Sequence, residues 1–126
     1  MILRGRDNVE QTTVEDIHSG SGKCHVRQLL GIEPRLDVPG FPGDFDSSME
    51  FMHETTLEPG ASIGLHPQEG NEELYYVIKG KGKMTVDDET QEMKPGDVCL
   101  TKSGSKHSFV NTGDEEVMMI VIEASV

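Results

Sequence analysis

Hydrophobic and polar positions alternate along this chain in short runs that are separated by turn residues. In residues 73–79, for example, Glu73, Tyr75 and Val77 fall on one side of an extended backbone, and the residues between them fall on the other. Comparable runs occupy residues 25–30, 50–57, 62–66, 73–79, 83–86, 90–93, 98–101, 106–111 and 116–123. No stretch sustains the 3.6-residue period of an amphipathic helix. The pattern therefore predicts an all-β fold, either a sandwich or a closed barrel.

Two segments lie outside this alternating pattern. Residues 1–24 are mostly polar and predict an N-terminal arm, ordered only where something covers it, with one short helical turn near residues 13–17. Residues 31–48 contain Pro34, Pro39 and Pro42 and predict a long loop, which is either functional or covers a barrel mouth. With a chain length of 126 residues, we expect one domain, a barrel over residues 25–126.

The last predicted strand is apolar on both of its faces. Residues 117–122 read VMMIVI, so alternation cannot direct a polar side chain to solvent. One face can line the barrel, but the other needs a second sheet or a second subunit. Leaving it in water would cost about 1.5–3 kcal/mol for each large side chain.

The charge balance narrows the range of partners. The net charge is −12, from 23 acidic and 11 basic residues, and such a field repels nucleic-acid backbones and anionic membrane surfaces. No stretch approaches the about 20 apolar residues of a membrane helix, and the N-terminus lacks the apolar run of a signal peptide. Cys24 and Cys99 lie far apart and are expected to be free thiols. We predict a cytoplasmic protein that binds neither nucleic acid nor membrane.

Four side chains carry the candidate chemistry. His66 and Gln68 share one face of a strand, Glu73 begins the next strand after a short turn, and His107 comes from a later strand. Imidazole and carboxylate donors that converge inside a barrel suit a first-row divalent metal. Composition alone leaves two alternatives, which are a metal site and a cluster that has lost its metal.

Two motifs in this chain resemble those of the cupins. Residues 59–82 read PGASIGLHPQEGNEELYYVIKGKG, similar to the first cupin motif: Gly, five residues, His-x-His, three or four residues, Glu, six residues, Gly. Residues 96–111 read GDVCLTKSGSKHSFVN, similar to the second: Gly, five residues, Pro-x-Gly, two residues, His, three residues, Asn. Gln68 replaces the second His of the first motif, and Lys102 replaces the Pro of the second. The resemblance covers residues 50–123 and implies a jelly-roll barrel, also called a double-stranded β-helix.

The resemblance also implies a metal site and a range of functions. By position, His66, Glu73 and His107 are metal ligands, and Gln68 offers a weaker, neutral oxygen in place of imidazole. The ion would be one divalent transition metal, with Mn, Fe, Ni, Co and Zn all open. Cupins include dioxygenases, isomerases and lyases, so we expect a metal-dependent enzyme acting on a small molecule. The alternative is a non-catalytic cupin that binds or senses a small molecule.

Three neighbouring residues complete the predicted site. Tyr75 shares the inward face with Glu73 and is either a general acid or a packing residue with a satisfied hydroxyl. Val77 and Phe109 lie on the same faces as Glu73 and His107, and are expected to form the pocket wall. Because cupin barrels often pair, and because the last strand has two apolar faces, we expect a homodimer.

Overall fold

The computed structural model describes residues 1–126, and antiparallel β-strands dominate it. The strands are β1 (Thr12–Glu15), β2 (Lys23–Gly31), β3 (Met49–Leu57), β4 (Ser62–Pro67), β5 (Asn71–Lys79), β6 (Gly82–Val86), β7 (Glu89–Met93), β8 (Val98–Thr101), β9 (Lys106–Asn111) and β10 (Val117–Ser125). Two single-turn 3-10 helices span Arg6–Asn8 and Ile17–Ser19, and no helix is long and apolar enough to cross a membrane. The prediction of an all-β jelly-roll barrel is confirmed, and the nine predicted strands correspond to β2–β10.

The strands form two sheets that face each other. The larger has the order β1-β2-β3-β10-β5-β8, and the smaller has the order β4-β9-β6-β7. The inward side chains meet between the sheets and form one hydrophobic core, whose fully buried members include Val26, Phe51, Leu57, Val77, Phe109, Val117 and Met119. The hairpin predicted around residues 87–89 joins β6 to β7, with Asp87 in the left-handed region at φ 53°. Burial on one side of each strand explains the alternating sequence pattern.

The N-terminal segment is part of the larger sheet rather than a separate arm. Strand β1 pairs with β2, and β2 itself begins at Lys23, so the predicted boundary at residue 24 falls inside a strand. The helical turn expected near residues 13–17 is replaced by β1, and the 3-10 turn begins only at Ile17. Val9 and Ile17 are buried, and the Arg6 guanidinium forms two hydrogen bonds with the Glu54 carboxylate at 2.6 and 3.0 Å. The N-terminal segment is therefore ordered by its contacts with the barrel.

The proline-containing loop between β2 and β3 folds over one end of the barrel. Glu33 and Val38 are buried, and the Gln28 side-chain amide donates to the Val38 carbonyl at 3.1 Å. The Gln28 amide oxygen also accepts a hydrogen bond from the Glu33 backbone. At its far end, the Phe41 backbone donates to the Gly31 carbonyl at 2.8 Å. The loop therefore holds residues 33–36 against the barrel interior.

The outer face of the larger sheet remains apolar and uncovered in the single chain. Ile122 pairs with Leu74, which in turn pairs with Leu100, so one apolar row crosses three strands. Tyr76, Ile78, Val98 and Leu100 are exposed by 42–61%. The second face of β10 is only half-buried within the protomer.

Candidate metal centre

His66 and His107 form a cross-strand pair in the smaller sheet. Strands β4 and β9 place the two residues directly opposite each other, and their Nε2 atoms lie 2.9 Å apart. Both side chains point inward, with His66 exposed by 7% and His107 fully buried. The inward alternation of the two strands therefore creates a pair of facing imidazole nitrogens.

Glu73 and Gln68 complete the group from the neighbouring sheet and turn. The Glu73 Oε1 atom lies 3.1 Å from the His107 Nε2 atom, and the Gln68 Nε2 atom lies 3.1 Å from the same nitrogen. Both side chains are buried. The structure thus brings together all four side chains that the sequence singled out, although they come from three strands and one turn.

Hydrogen bonds at the outer edge of each imidazole fix its orientation. The His66 Nδ1–H group donates to the Gly64 carbonyl at 2.7 Å, which leaves the His66 Nε2 lone pair directed at the group. The His107 Nδ1 atom bonds the Thr101 hydroxyl at 2.7 Å. Burial lowers the pKa of both imidazoles to about 4, so both are neutral near pH 7. Neutral imidazoles oriented in this way are the form in which histidine binds metals.

The donor set fits a first-row divalent ion. The Gln68 Oε1 atom is buried without a hydrogen-bond partner, and a half-turn of the amide exchanges it with the Nε2 atom that faces His107. Two neutral imidazole nitrogens, one carboxylate oxygen and one amide oxygen then face a common point. Hard and borderline nitrogen and oxygen donors of this kind suit Mn, Fe, Co, Ni or Zn. No cysteine belongs to the group, because both thiols lie elsewhere and are free.

A chain of charged groups, in which the carboxylates are buried and Arg35 is partly exposed, extends from Glu73 toward the loop. The Arg35 guanidinium bonds both carboxylate oxygens of Glu33 at 2.6 Å and the Glu123 Oε1 atom at 3.0 Å. Glu33, Glu73 and Glu123 bring their carboxylate oxygens within 4.8 Å of one another. Burial raises the pKa of Glu73 and of Glu123, because each carboxyl loses its hydration and neighbours further carboxylates. A cation bound beside Glu73 would favour the ionised form of that carboxylate.

Tyr75 borders this group, whereas Val77 and Phe109 lie in the core beside it. The Tyr75 ring is buried, its centroid lies 5.0 Å from that of His107, and burial together with the nearby Glu73 carboxylate raises the pKa of its hydroxyl. Val77 and Phe109 are fully buried members of the hydrophobic core, and neither lines the cavity next to the metal centre. They pack in the hydrophobic core, because the inward-facing residues of each strand extend beyond the cavity into that core.

The cavity next to the donors is small and is partly lined by residues that sequence reasoning did not select. Its free volume is about 20 Å³, enough for the centre of one water molecule. His18 comes from the N-terminal segment, Glu33 and Leu36 come from the loop, and His53 and Thr55 come from β3. His18 and the loop residues lie outside any strand, so alternation gave no signal for them. His53 and Thr55 carried that signal, since both lie on the inward face of a predicted strand.

Comparison with known proteins agrees with this architecture. The Cupin domain family model matches residues 53–123, more than half of the chain. An oxalate-binding protein from Thermotoga maritima is 28% identical over 122 residues, which cover 97% of this chain and 92% of that protein. The crystal structure of a predicted oxalate decarboxylase from Thermotoga maritima superposes with a TM-score of 0.83 and 27% identity, over the full length of both chains.

A relative with a named enzymatic activity matches a smaller region. A 5-nitrosalicylic acid 1,2-dioxygenase from Bradyrhizobium is 30% identical over 66 residues, which cover 52% of this chain and 31% of the dioxygenase. The family match spans both motifs and all four side chains that could hold a metal. The chain belongs to the cupin domain family.

Proposed function

We propose that this protein is a metal-dependent enzyme that acts on a small carboxylate at one divalent transition-metal ion inside the barrel. The observation that carries the proposal is the convergence of four buried side chains, since atoms of His66, Gln68 and Glu73 lie 2.9–3.1 Å from the His107 Nε2 atom. In this proposal His66, Gln68, Glu73 and His107 hold the ion. When bound, the ion would act as a Lewis acid toward substrate oxygens.

The chain's own residues would orient the substrate. Glu33 and Leu36 line the cavity on the loop side and would limit the access of bulk water to the metal ligands. Tyr75 lines the same cavity, and burial raises the pKa of its hydroxyl, which therefore keeps its proton near pH 7. We assign it the role of hydrogen-bond donor to the substrate.

The small cavity supports a small substrate. A free volume of about 20 Å³ has room for the centre of one water molecule, so only a small ligand fits, and only with some movement of the walls. The relative that matches nearly the whole chain is named for oxalate binding, and oxalate is a small ligand of six heavy atoms. We therefore propose a short carboxylate of the oxalate type, whose oxygens would replace water beside the metal ligands.

Non-catalytic binding is the second candidate, and one observation favours it. The relative named an oxalate-binding protein covers 97% of this chain, whereas the dioxygenase match covers 52%. A binder would use the same four metal ligands and the same cavity. The two candidates differ only in whether bound carboxylate is converted to product.

A binding and turnover experiment separates the candidates. The purified protein is analysed for metal content, stripped with chelator, reloaded with Mn²⁺ and titrated with oxalate, with acetate as a monocarboxylate control. We expect tight oxalate binding only in the reloaded protein. Formation of carbon dioxide or formate from oxalate would support the enzyme, and binding without product would support the binder. Equal oxalate binding with and without metal would overturn the proposal.

We also propose that the functional form is a homodimer in the cytoplasm. A second copy would cover the apolar outer face of the larger sheet, where Ile78 and Leu100 are exposed. Two free thiols, Cys24 and Cys99, suit a reducing compartment. The net charge of −12 disfavours binding to nucleic acid or to anionic membranes.

A further inference from the structure

The N-terminal segment places a fifth polar side chain beside the metal centre. The His18 ring stacks on the His66 ring, with centroids 3.8 Å apart and an angle of 16° between the planes. His18 belongs to the 3-10 turn Ile17–Ser19, almost fifty residues before His66. Neither motif of the sequence includes it.

The backbone that carries His18 has an uncommon conformation. Asp16, His18 and Ser19 have φ values of 54°, 51° and 63°, in the left-handed region that residues other than glycine seldom occupy. Such residues cost about 1 kcal/mol or more each, so they persist only where the surrounding structure fixes them. Clusters of this kind occur most often at functional sites.

Two glycines and one hydrogen bond hold this turn against β4. A Cβ atom at Gly64 would lie 2.2 Å from the His18 carbonyl oxygen, and one at Gly20 would lie 2.3 Å from the Ser62 carbonyl oxygen. The Ser62 backbone donates to the Ser21 carbonyl at 2.7 Å. The two backbones can approach this closely only because both positions lack a side chain. The contact fixes the His18 ring above His66.

The His18 ring nitrogens make no hydrogen bond within the protein. The ring is half-buried and lines the cavity beside the metal centre, so its nitrogens are accessible to water or to a ligand. By contrast, the ring nitrogens of His66 and His107 are all engaged by neighbouring groups. Stacking alone needs only a flat ring, so it does not account for an imidazole at this position.

We propose that His18 is a ligand-contacting residue, whose ring N–H group donates a hydrogen bond to the carboxylate bound at the metal centre. This inference rests on the proposed function and adds a contact from outside the metal-ligand set. The donor lies in the part of the cavity wall that the N-terminal segment forms, and Glu33 and Leu36 line the same cavity from the loop. The N-terminal segment therefore contributes a residue to ligand binding as well as a strand to the larger sheet.

Two substitutions separate the hydrogen bond from the stacking. His18→Phe keeps a flat ring over His66 but removes both nitrogens. His18→Asn removes the ring, keeps an N–H donor, and suits the left-handed backbone better than most residues. His25→Phe is the control, because His25 bonds Thr13 and Glu58 and does not line the cavity.

The measurements are Mn²⁺ affinity and the oxalate affinity of the Mn²⁺-loaded proteins, by calorimetric titration, with thermal unfolding as the folding check. We expect all variants to bind Mn²⁺ within a few-fold of wild type. Oxalate affinity should fall about 10- to 100-fold in His18→Phe, since a hydrogen bond to a charged group is lost, and less in His18→Asn. The His25→Phe protein should match wild type.

The failures of the two proposals are distinguishable. If wild type binds oxalate and His18→Phe binds it equally, the inference about His18 is overturned and the proposed function stands. If Mn²⁺-loaded wild type binds no oxalate, the proposed function and the inference that rests on it are both overturned. Should His18→Phe fail to fold, His18→Ala takes its place as the variant without a donor: an oxalate affinity lower than that of His18→Asn supports the donor role, and an affinity equal to that of wild type overturns it. A 100-fold loss in His18→Asn would contradict it.

Discussion

The Thr101 hydroxyl bonds the His107 Nδ1 atom at 2.7 Å, and Thr101 also stands opposite Glu73 in the pairing of β5 with β8. Thr101 therefore orients the His107 ring, and the pairing of its strand β8 with β5 helps to position Glu73. Neither cupin-like motif marks this threonine as a site residue, although it lies within the second motif. Outer partners of this kind set the direction and basicity of a histidine ligand.

Thr101→Val should weaken metal binding without abolishing it. Valine keeps the volume and branching of threonine but cannot hold the His107 ring, so Mn²⁺ affinity should fall about 10- to 100-fold. Thr55→Val is the matched control, because Thr55 bonds the His53 ring at 2.6 Å in the same manner, and His53 lines the cavity without belonging to the four metal-ligand candidates. Calorimetric titration of both variants checks the prediction. An equal change in the two variants would contradict it.

The pH dependence of stability should carry a contribution from His53. Burial lowers the pKa of this imidazole to about 4, against about 6.5 in an unfolded chain. The unfolded chain therefore takes up a proton first as pH falls, and the free energy of unfolding decreases from pH 6.5 toward pH 4. Between pH 7 and pH 5 the loss from this residue is about 2 kcal/mol.

Urea unfolding of metal-free protein at pH 7 and pH 5 measures this contribution. His53→Gln removes the titrating group, so its free energy of unfolding should fall less between the two values than that of wild type. Identical pH dependence in the two proteins would show that His53 is not held in its neutral form by burial.

Arg35→Gln should destabilise the protein by leaving buried carboxylates without their cation. Glu33 and Glu123 are exposed by 2% and 1%, and Arg35 bonds both. Because Arg35 is itself partly exposed, we expect a loss of about 2 kcal/mol, below the range for a fully buried pair. Adding Glu33→Gln should recover part of that loss, as for coupled neighbours. Additive losses in urea unfolding of the double variant would contradict the coupling.

Leu100→Asp should dissociate the proposed dimer. Leu100 is exposed by 49% on the outer face of the larger sheet, so a charge there costs the single protomer little but cannot be buried against a second copy. Leu65→Asp is the control, exposed by 58% on the other sheet. Light scattering should give about twice 13.9 kDa for wild type and the control, and 13.9 kDa for Leu100→Asp. A wild-type mass of 13.9 kDa would contradict the dimer.

The sequence predicted those strands whose hydrophobic and polar residues alternate, and missed those that depend on distant contacts. Strand β5 could be predicted from the sequence because burial alternates along it, from Glu73 through Tyr75 to Val77. Strand β1 could not be predicted, because none of its four residues is buried and they form a strand only through pairing with β2. The position of β10 between β3 and β5 depends on contacts across more than forty residues, which no local pattern encodes.

The same distinction applies to the site. The four donors lie at fixed spacings on strands, so motif and alternation were sufficient to select them. His18 and Arg35 reach the site from a turn and a loop, whose paths depend on close packing such as that of Gly20 against β4. Val77 and Phe109 were expected at the pocket wall, but alternation gives only the face of a strand and not the depth of the cavity along it.

The metal site itself is tested most directly by titrating Mn²⁺ into chelator-stripped wild type and three variants. Wild type should bind one equivalent. Gln68→Ala should weaken binding about 10- to 100-fold, because water can replace a neutral donor. Glu73→Ala should weaken it further, since Glu73 is the only anionic donor in the set, and Gln68→His should tighten it. Equal and negligible binding in all four proteins would contradict the metal centre and the function proposed from it.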